Sequence, residues 1–292
     1  MDGIILVNKE KDMTSRDVVN RVSKVCHTKK VGHTGTLDPM ATGLLVVCVG
    51  RATKLVEILT SDEKEYIATM LFGVQTDTKD VMGKVLKEIS CKVKKEDVNK
   101  VLKSFITTYE QEVPIYSAVK INGKKLYEYA RSHETISLPK RKVTIKSLDM
   151  IDFKEGEKPI LKFYTKVSKG TYIRSLVEDI AKKLNTIGTM SALTRTKVGL
   201  FSLNDANTID EIKENQFKLY SIYDVLSSMY ETRAITDELE KKVINGSKIE
   251  NKEDLDMVLF VNQNKEPIAL YKKEQELLKC YKMLMIKNKN KF

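Results

Sequence analysis

Apolar positions recur along this chain with two different spacings, and the places where the spacing changes divide it into elements. GIILVNK, residues 3–9, reads as a short strand. In TSRDVVNRVSKVCH the residues Val18, Val19, Val22, Val25 and Cys26 form a stripe at helical spacing. Thr14 or Ser15 can cap that helix, and Asp17 suits the positive end of its dipole. LLVVCVG, residues 44–50, is apolar almost throughout and predicts a buried strand. RATKLVEILT reads as helix and KEYIATMLFGV, residues 64–74, as strand. EDVNKVLKSFI puts Val98, Val101, Leu102, Phe105 and Ile106 on one helical face.

Farther along, RKVTIKSLDMIDF and ILKFYTKVS flank EGEKP, a hairpin-like connection containing Gly156 and Pro159. YIRSLVEDIAKKL reads as an amphipathic helix and TMSALTRTKVGLF as a return to sheet. Strands and helices interleave without a strict βαβ repeat, so the expected class is α+β around a mixed or antiparallel sheet. From about Tyr230 the texture changes to short apolar bursts, VING, MVLFVNQ and PIALYK, separated by charged turns such as ENKEDLD. The expected division is therefore a large unit over residues 1–229 and a small β-rich unit over 230–292, which ends in the basic tail KNKNKF.

Composition narrows the class of function. The 292 residues carry a formal net charge of +11, which favours a polyanionic partner, because bound lysines and arginines release the counterions condensed on phosphates. Four scattered cysteines and three histidines make neither a disulfide framework nor a metal set, and no dinucleotide or phosphate-loop glycine pattern occurs. Structural disulfides and a zinc site are not expected. No apolar run approaches the roughly 18 to 20 residues that span a bilayer, and the first residues lack a secretory pattern. A cytoplasmic location is the expectation.

Three stretches carry candidate chemistry. In VGHTGTLDPMATGLLVVCVG, residues 31–50, Asp38 before Pro39 with Gly43 behind suggests a one-turn helix, and Gly32 and Gly35 would let His33 protrude. The stretch can be a well-capped turn or a site. PIYSAVKINGKKLYEYAR, residues 114–131, interleaves Tyr116, Tyr127 and Tyr129 with Lys120, Lys124, Lys125 and Arg131, as recognition of unpaired RNA bases and their phosphates requires. Its bland reading is a hairpin at Asn122-Gly123 leading into a helix that buries Leu126, Tyr127 and Ala130. In SKGTYIRSLVEDIA, an extended backbone would point Tyr172 and Arg174 to one face, and an arginine beside a cleft carboxylate keeps it ionised and aimed.

These stretches, with KEYIATMLFGVQTDTKDVMG between them and in this order, resemble the TruB family of bacterial tRNA pseudouridine synthases over residues 1 to about 225. The resemblance implies isomerisation of uridine 55 in the T loop of tRNA without a cofactor. Its implied fold is a mixed, mainly antiparallel sheet with a C-terminal PUA-like module, and it implies a monomer with no obligate protein partner. It implies that Asp38 is the catalytic aspartate and that His33 enters the RNA where the target base has left. It further implies that Tyr66 stacks on the flipped uracil, that Tyr172 and Arg174 line the pocket, and that Leu193 is an apolar wall. The first family motif is close to N-K-P-x-G-x-T-S, whereas this chain has NKEKDMTS, with Glu10 and Asp12 for proline and glycine, which leaves the stiffness of that loop and a role for Lys9 open. A guide-RNA-dependent relative and a non-catalytic tRNA-folding factor are the alternatives.

Overall fold

The computed structural model describes residues 1–60 and 63–285, so the tail KNKNKF lies outside the described residues. Strand β1 (Gly3–Lys9) leads into α1 (Ser15–Val25), and it is Thr14 that caps. The Thr14 hydroxyl accepts from the Asp17 N–H while the Asp17 carboxylate accepts from the Thr14 N–H, which satisfies two free donors reciprocally. A short strand β2 (Val31–His33) precedes β3 (Thr42–Val49). Strand β3 starts two residues before the apolar run because Gly43, at φ +100°, lets the backbone press against Arg195. A Cβ at Gly43 would lie 2.4 Å from the Arg195 carbonyl oxygen, so only glycine fits.

A tight 3₁₀ segment, Gly50–Leu55, runs into α2 (Val56–Thr60), and together they make up the helix expected over RATKLVEILT. Next come β4 (Lys64–Phe72) and the small ribbon of β5 (Val74–Thr76) and β6 (Val85–Glu88). Helix α3 (Lys95–Ser104) stops two residues early, so Phe105 is buried but Ile106 is exposed instead of packed. After β7 (Thr108–Glu112), strands β8 (Lys120–Ile121) and β9 (Lys124–Lys125) form the expected hairpin, with Asn122 and Gly123 both left-handed at φ 50° and 81°. Helix α4 (Leu126–Arg131) corrects the expected burial: Leu126 and Tyr129, one turn apart, form the packed face, and Tyr127 is only half-buried.

The long hairpin of β10 (Lys140–Lys154) and β11 (Ile160–Val167) is followed by α5 (Ile173–Lys183), β12 (Gly188–Val198), β13 (Phe201–Ser202), α6 (Ile209–Lys213), β14 (Leu219–Tyr220) and α7 (Ile222–Ser227). The remaining strands are β15 (Glu231–Ala234), β16 (Ile249–Glu250), β17 (Met257–Val261), β18 (Pro267–Glu274) and β19 (Leu277–Met283), with α8 (Asp237–Ile244) between the first two. The burst VING is thus the end of a helix, whose charged turns hide its period, and Gly246 at φ 72° follows that end.

The main sheet runs β14-β1-β3-β12-β4-β11-β10-β7, with β2 added to β3 and β13 to β12. Among the described residues only the β3–β12 pairing within it is parallel, so the sheet is mixed and mainly antiparallel, in an α+β fold. Strands β1 and β3 are buried on both faces. Ile5, Val7, Leu45, Val47 and Val49 pack on α1 and α6, while Ile4, Leu6, Leu44, Val46 and Cys48 pack on Leu55, Leu59 and Leu226 and share that cluster with Leu259 and Leu270 of the second sheet. Double-sided burial is why LLVVCV shows no polar alternation. Toward the other end of the sheet, Tyr66, Ala68, Met70, Phe72 and Phe163 meet α3 and α5. Helix α5 is thereby fixed over β4 and β12, and its first turn faces the loop between β2 and β3.

Candidate active site

Asp38 sits in a turn, not a helix: the Ala41 N–H donates to its carbonyl at 3.0 Å, and Thr42 already belongs to β3. Gly43 consequently does not close that turn. What holds the turn is the first motif loop. The Ser15 hydroxyl accepts from the Leu37 N–H at 2.9 Å, and the Asp12 N–H donates to the Pro39 carbonyl at 2.9 Å. Asp12 itself is left-handed at φ 64°, a conformation glycine would take freely and aspartate tolerates better than most residues. Lys9 is fully buried, and its ammonium donates to the carbonyls of Glu10, Met13 and Pro39 at 2.8, 2.7 and 3.2 Å. Burial lowers the Lys9 ammonium to about 8, partly opposed by the Asp38 carboxylate. Lys9 therefore ties the loop that lacks the family's proline and glycine to the Asp38 turn.

The Asp38 carboxylate meets Arg174 side-on, with Oδ2 at 2.9 Å from Nε and Oδ1 at 3.1 Å from Nη2. Such a two-bond contact fixes direction as well as charge. Arg174 is the second residue of α5, so it reaches Asp38 from a helix start and not by strand alternation from Tyr172. Both terminal nitrogens hold further partners: Nη1 donates to the Thr78 carbonyl at 3.1 Å and Nη2 to the Tyr116 carbonyl at 3.0 Å, with the Asp80 carboxylate 3.9 Å from Nη1. The Arg174 side chain is 7% exposed, whereas 31% of the Asp38 side chain faces open space. Burial pushes the Asp38 carboxyl above its ordinary value, Arg174 and Lys9 pull it back, and Asp80 adds to the rise.

Open space in front of Asp38 is a cavity of about 870 Å³ lined by Asp38, Tyr66, Tyr172, Arg174 and Leu193, five of the six expected residues. Tyr66 projects from β4 and is buried, directly across from Arg195 of β12, and Leu193 comes from the same strand as Arg195. Tyr116 and Tyr127 reach the cavity from the segment containing α4, and Arg141, Lys142 and Lys169 contribute cations to its lining. The sixth residue, His33, lies at the end of β2 beside the lining residues Thr34 and Gly35. Its Nδ1 accepts from the Gly35 N–H at 3.2 Å, and burial together with Arg195 and Arg16 lowers its pKa, which favours the neutral ring.

Two residues here, Arg195 and Asp80, were not singled out from the sequence. Arg195 is fully buried and donates to the carbonyls of Leu44 at 2.8 Å and Gly35 at 3.0 Å, bracing the Asp38 loop from behind. A charge at an inward position of an alternating strand was its available signal. Asp80 is buried and accepts from the Thr78 hydroxyl and the Met82 N–H, at the end of the TDTKD turn. Lys9, at the tip of an apolar strand and named above with its role open, takes its place behind the Asp38 turn.

A family model described as TruB family pseudouridylate synthase (N terminal domain) matches residues 23–173, and one described as tRNA pseudouridylate synthase B C-terminal domain matches residues 174–229. A tRNA pseudouridine synthase B of Staphylococcus aureus (strain MSSA476) is 41% identical over 288 residues, which cover 92% of this chain and 94% of that one. One from Fusobacterium nucleatum is 48% identical over 203 residues, 70% of each chain. Among solved structures, that of an H/ACA RNP bound to a substrate RNA containing 2'-deoxyuridine superposes with a TM-score of 0.70 at 22% identity, covering 98% of this chain and 86% of that one, a likeness of fold. With a family model spanning half the chain and a 41% identical relative spanning nearly all of it, the chain belongs to the TruB family of pseudouridylate synthases.

Proposed function

We propose that the protein isomerises uridine 55 in the T loop of tRNA to pseudouridine. The observation that carries this reading is the side-on Asp38–Arg174 pair, buried behind and open in front to a cavity of nucleotide size. A base in a folded loop cannot reach Asp38, so it must be extruded at a cost of a few kcal/mol. Tyr66 and Leu193 offer the flipped uracil a stacking face and an apolar wall. His33, neutral and just outside the cavity, is placed to fill the gap in the RNA, where a charged ring would be harder to desolvate.

In the reaction the N1–C1′ bond breaks, the uracil turns, and C5 joins C1′; the C5 proton leaves and N1 gains one, so no electrons are exchanged. The Asp38 carboxylate acts at the sugar, on C1′ or on the C2′ proton, and either action requires its ionised form. Arg174 maintains that form and aims it. We assign removal of the C5 proton to the Tyr66 hydroxyl. Residues 230–292 are read as a second RNA-binding unit, and the acting species as a single chain.

Two measurements test the reading. Wild-type protein releases tritium from C5-labelled tRNA and from an isolated T stem-loop, and not from a stem-loop whose target uridine is replaced by C5-labelled cytidine; absence of release from both uridine substrates would sink it. Arg141, Lys142 and Lys169 should each contact a phosphate. Replacing any one with Ala should therefore reduce the slope of log affinity against log salt by about one unit, or somewhat less for single-stranded sites. Filter binding at several salt concentrations checks this, and unchanged slopes in all three would remove these residues from the RNA path.

A further inference from the structure

The start of α5 is held in an unusual way. In α1 and α6 the N–H of the capping residue donates to an acidic side chain three residues on, Asp17 and Glu211. The capping residue of α5 is Tyr172, whose side chain makes no capping bond, and the residue three positions on is Ser175, whose hydroxyl points elsewhere and donates to the Glu112 carbonyl at 2.8 Å. The missing acceptor comes from β7, sixty-one residues earlier: the Tyr172 N–H donates to Oε1 of Gln111 at 2.8 Å. Gln111 is 1% exposed, and its amide donates to the Tyr109 hydroxyl at 2.8 Å, which in turn donates to Asp179 of α5 at 3.1 Å. Tyr109 and Gln111, two apart on one strand, point to the same side. Strand β7 thus grips α5 at its first turn and again near its middle.

The grip matters because of what the first turn carries. Arg174 lies two residues beyond the Tyr172 N–H, and its side-on approach to Asp38 depends on where that turn sits. We propose that Gln111 is a positioning residue for the isomerisation, supplying from β7 the acceptor that α5 lacks and so fixing Arg174 against Asp38 and Tyr172 against the cavity. This rests on the function proposed above. Gln111 touches neither substrate nor Asp38, and acts through Arg174.

The test uses the full chain with Gln111→Met, similar in length but unable to accept from an N–H, and Gln111→Asn, polar but one methylene too short. Leu102→Ala, which thins the core beside α5 and removes none of the grip's hydrogen bonds, serves as the control for lost stability. Steady-state tritium release from tRNA, its pH dependence, RNA affinity and thermal unfolding are measured for each. Misplacement of an aiming group should lower kcat about tenfold or more, because small displacements at a reacting centre are costly. KM and RNA affinity should stay near wild type. The acid limb of kcat should move upward, since Asp38, faced by Arg174 from α5, Asp80 from the turn after β5 and Lys9 from β1, loses part of its principal counter-charge.

Leu102→Ala should melt earlier yet keep its acid limb. The proposal is overturned if Gln111→Met and Gln111→Asn keep wild-type kcat and acid limb, or if they match Leu102→Ala in losing only thermal stability. An inactive wild type would instead overturn the function itself.

Discussion

Asp38→Asn should abolish isomerisation, by at least roughly 10⁴-fold in kcat, as removal of a primary catalytic group does elsewhere, while RNA affinity stays near wild type. The substitution changes no shape and little volume, but an amide can neither attack C1′ nor take a proton from C2′. It also leaves the Arg174 guanidinium facing a neutral partner. Breaking a buried ion pair commonly costs about 3–5 kcal/mol; here the cost should be smaller, because Arg174 keeps the Thr78 and Tyr116 carbonyls and the nearby Asp80 carboxylate. Tritium release reports the chemistry and filter binding the affinity. Turnover near wild type would refute the role of Asp38, and lost binding would show that the carboxylate serves the RNA site instead.

The second large effect is expected at Arg174. Asp38 must be ionised to act, and burial already raises its carboxyl above the ordinary value, so wild-type activity should fall with decreasing pH sooner than a free aspartate would dictate. Arg174 is the main group opposing that rise. Removing it in Arg174→Met raises the carboxyl further, so the acid limb moves upward and part of the lost rate returns as pH increases. Loss at neutral pH should be about 10²- to 10³-fold, the scale of deleting one fixed electrostatic partner in a closed site. Arg174→Lys keeps the charge but not the side-on fork, so its acid limb should lie nearer wild type while kcat remains low. A profile of kcat against pH for the three proteins decides the matter; superimposable acid limbs would mean that Arg174 does not control Asp38.

How much of this was visible beforehand depends on the kind of contact. The stripe Val18–Val19–Val22 and the Asn122-Gly123 hairpin could be read from the sequence because each is local: a period or a turn dipeptide carries the information. Asp38, Tyr66, Tyr172, Arg174 and Leu193 were placed together by resemblance, and they do line one cavity. Arg195 escaped notice, and the role of Lys9 stayed open, because a buried cation looks like a surface cation until its carbonyl partners are known. Arg195 finds its partners 151 and 160 residues away, and Lys9 reaches Pro39 across 30 residues as well as the nearby Glu10 and Met13. Tyr127 and Tyr129 were confused for a related reason: both suit a short helix, and only the position of Leu126 fixes which one turns inward. Gln111 gives no sign at all in a sequence, since its meaning is a hydrogen bond to a helix start 61 residues later.

The most direct test of the account is to map the modified position. Unmodified tRNA is incubated with wild type or with Asp38→Asn, and pseudouridine is located by carbodiimide labelling and primer extension. Wild type should give one strong stop, marking uridine 55, and the variant none. A stop elsewhere alone, or the same stop with Asp38→Asn, would contradict it.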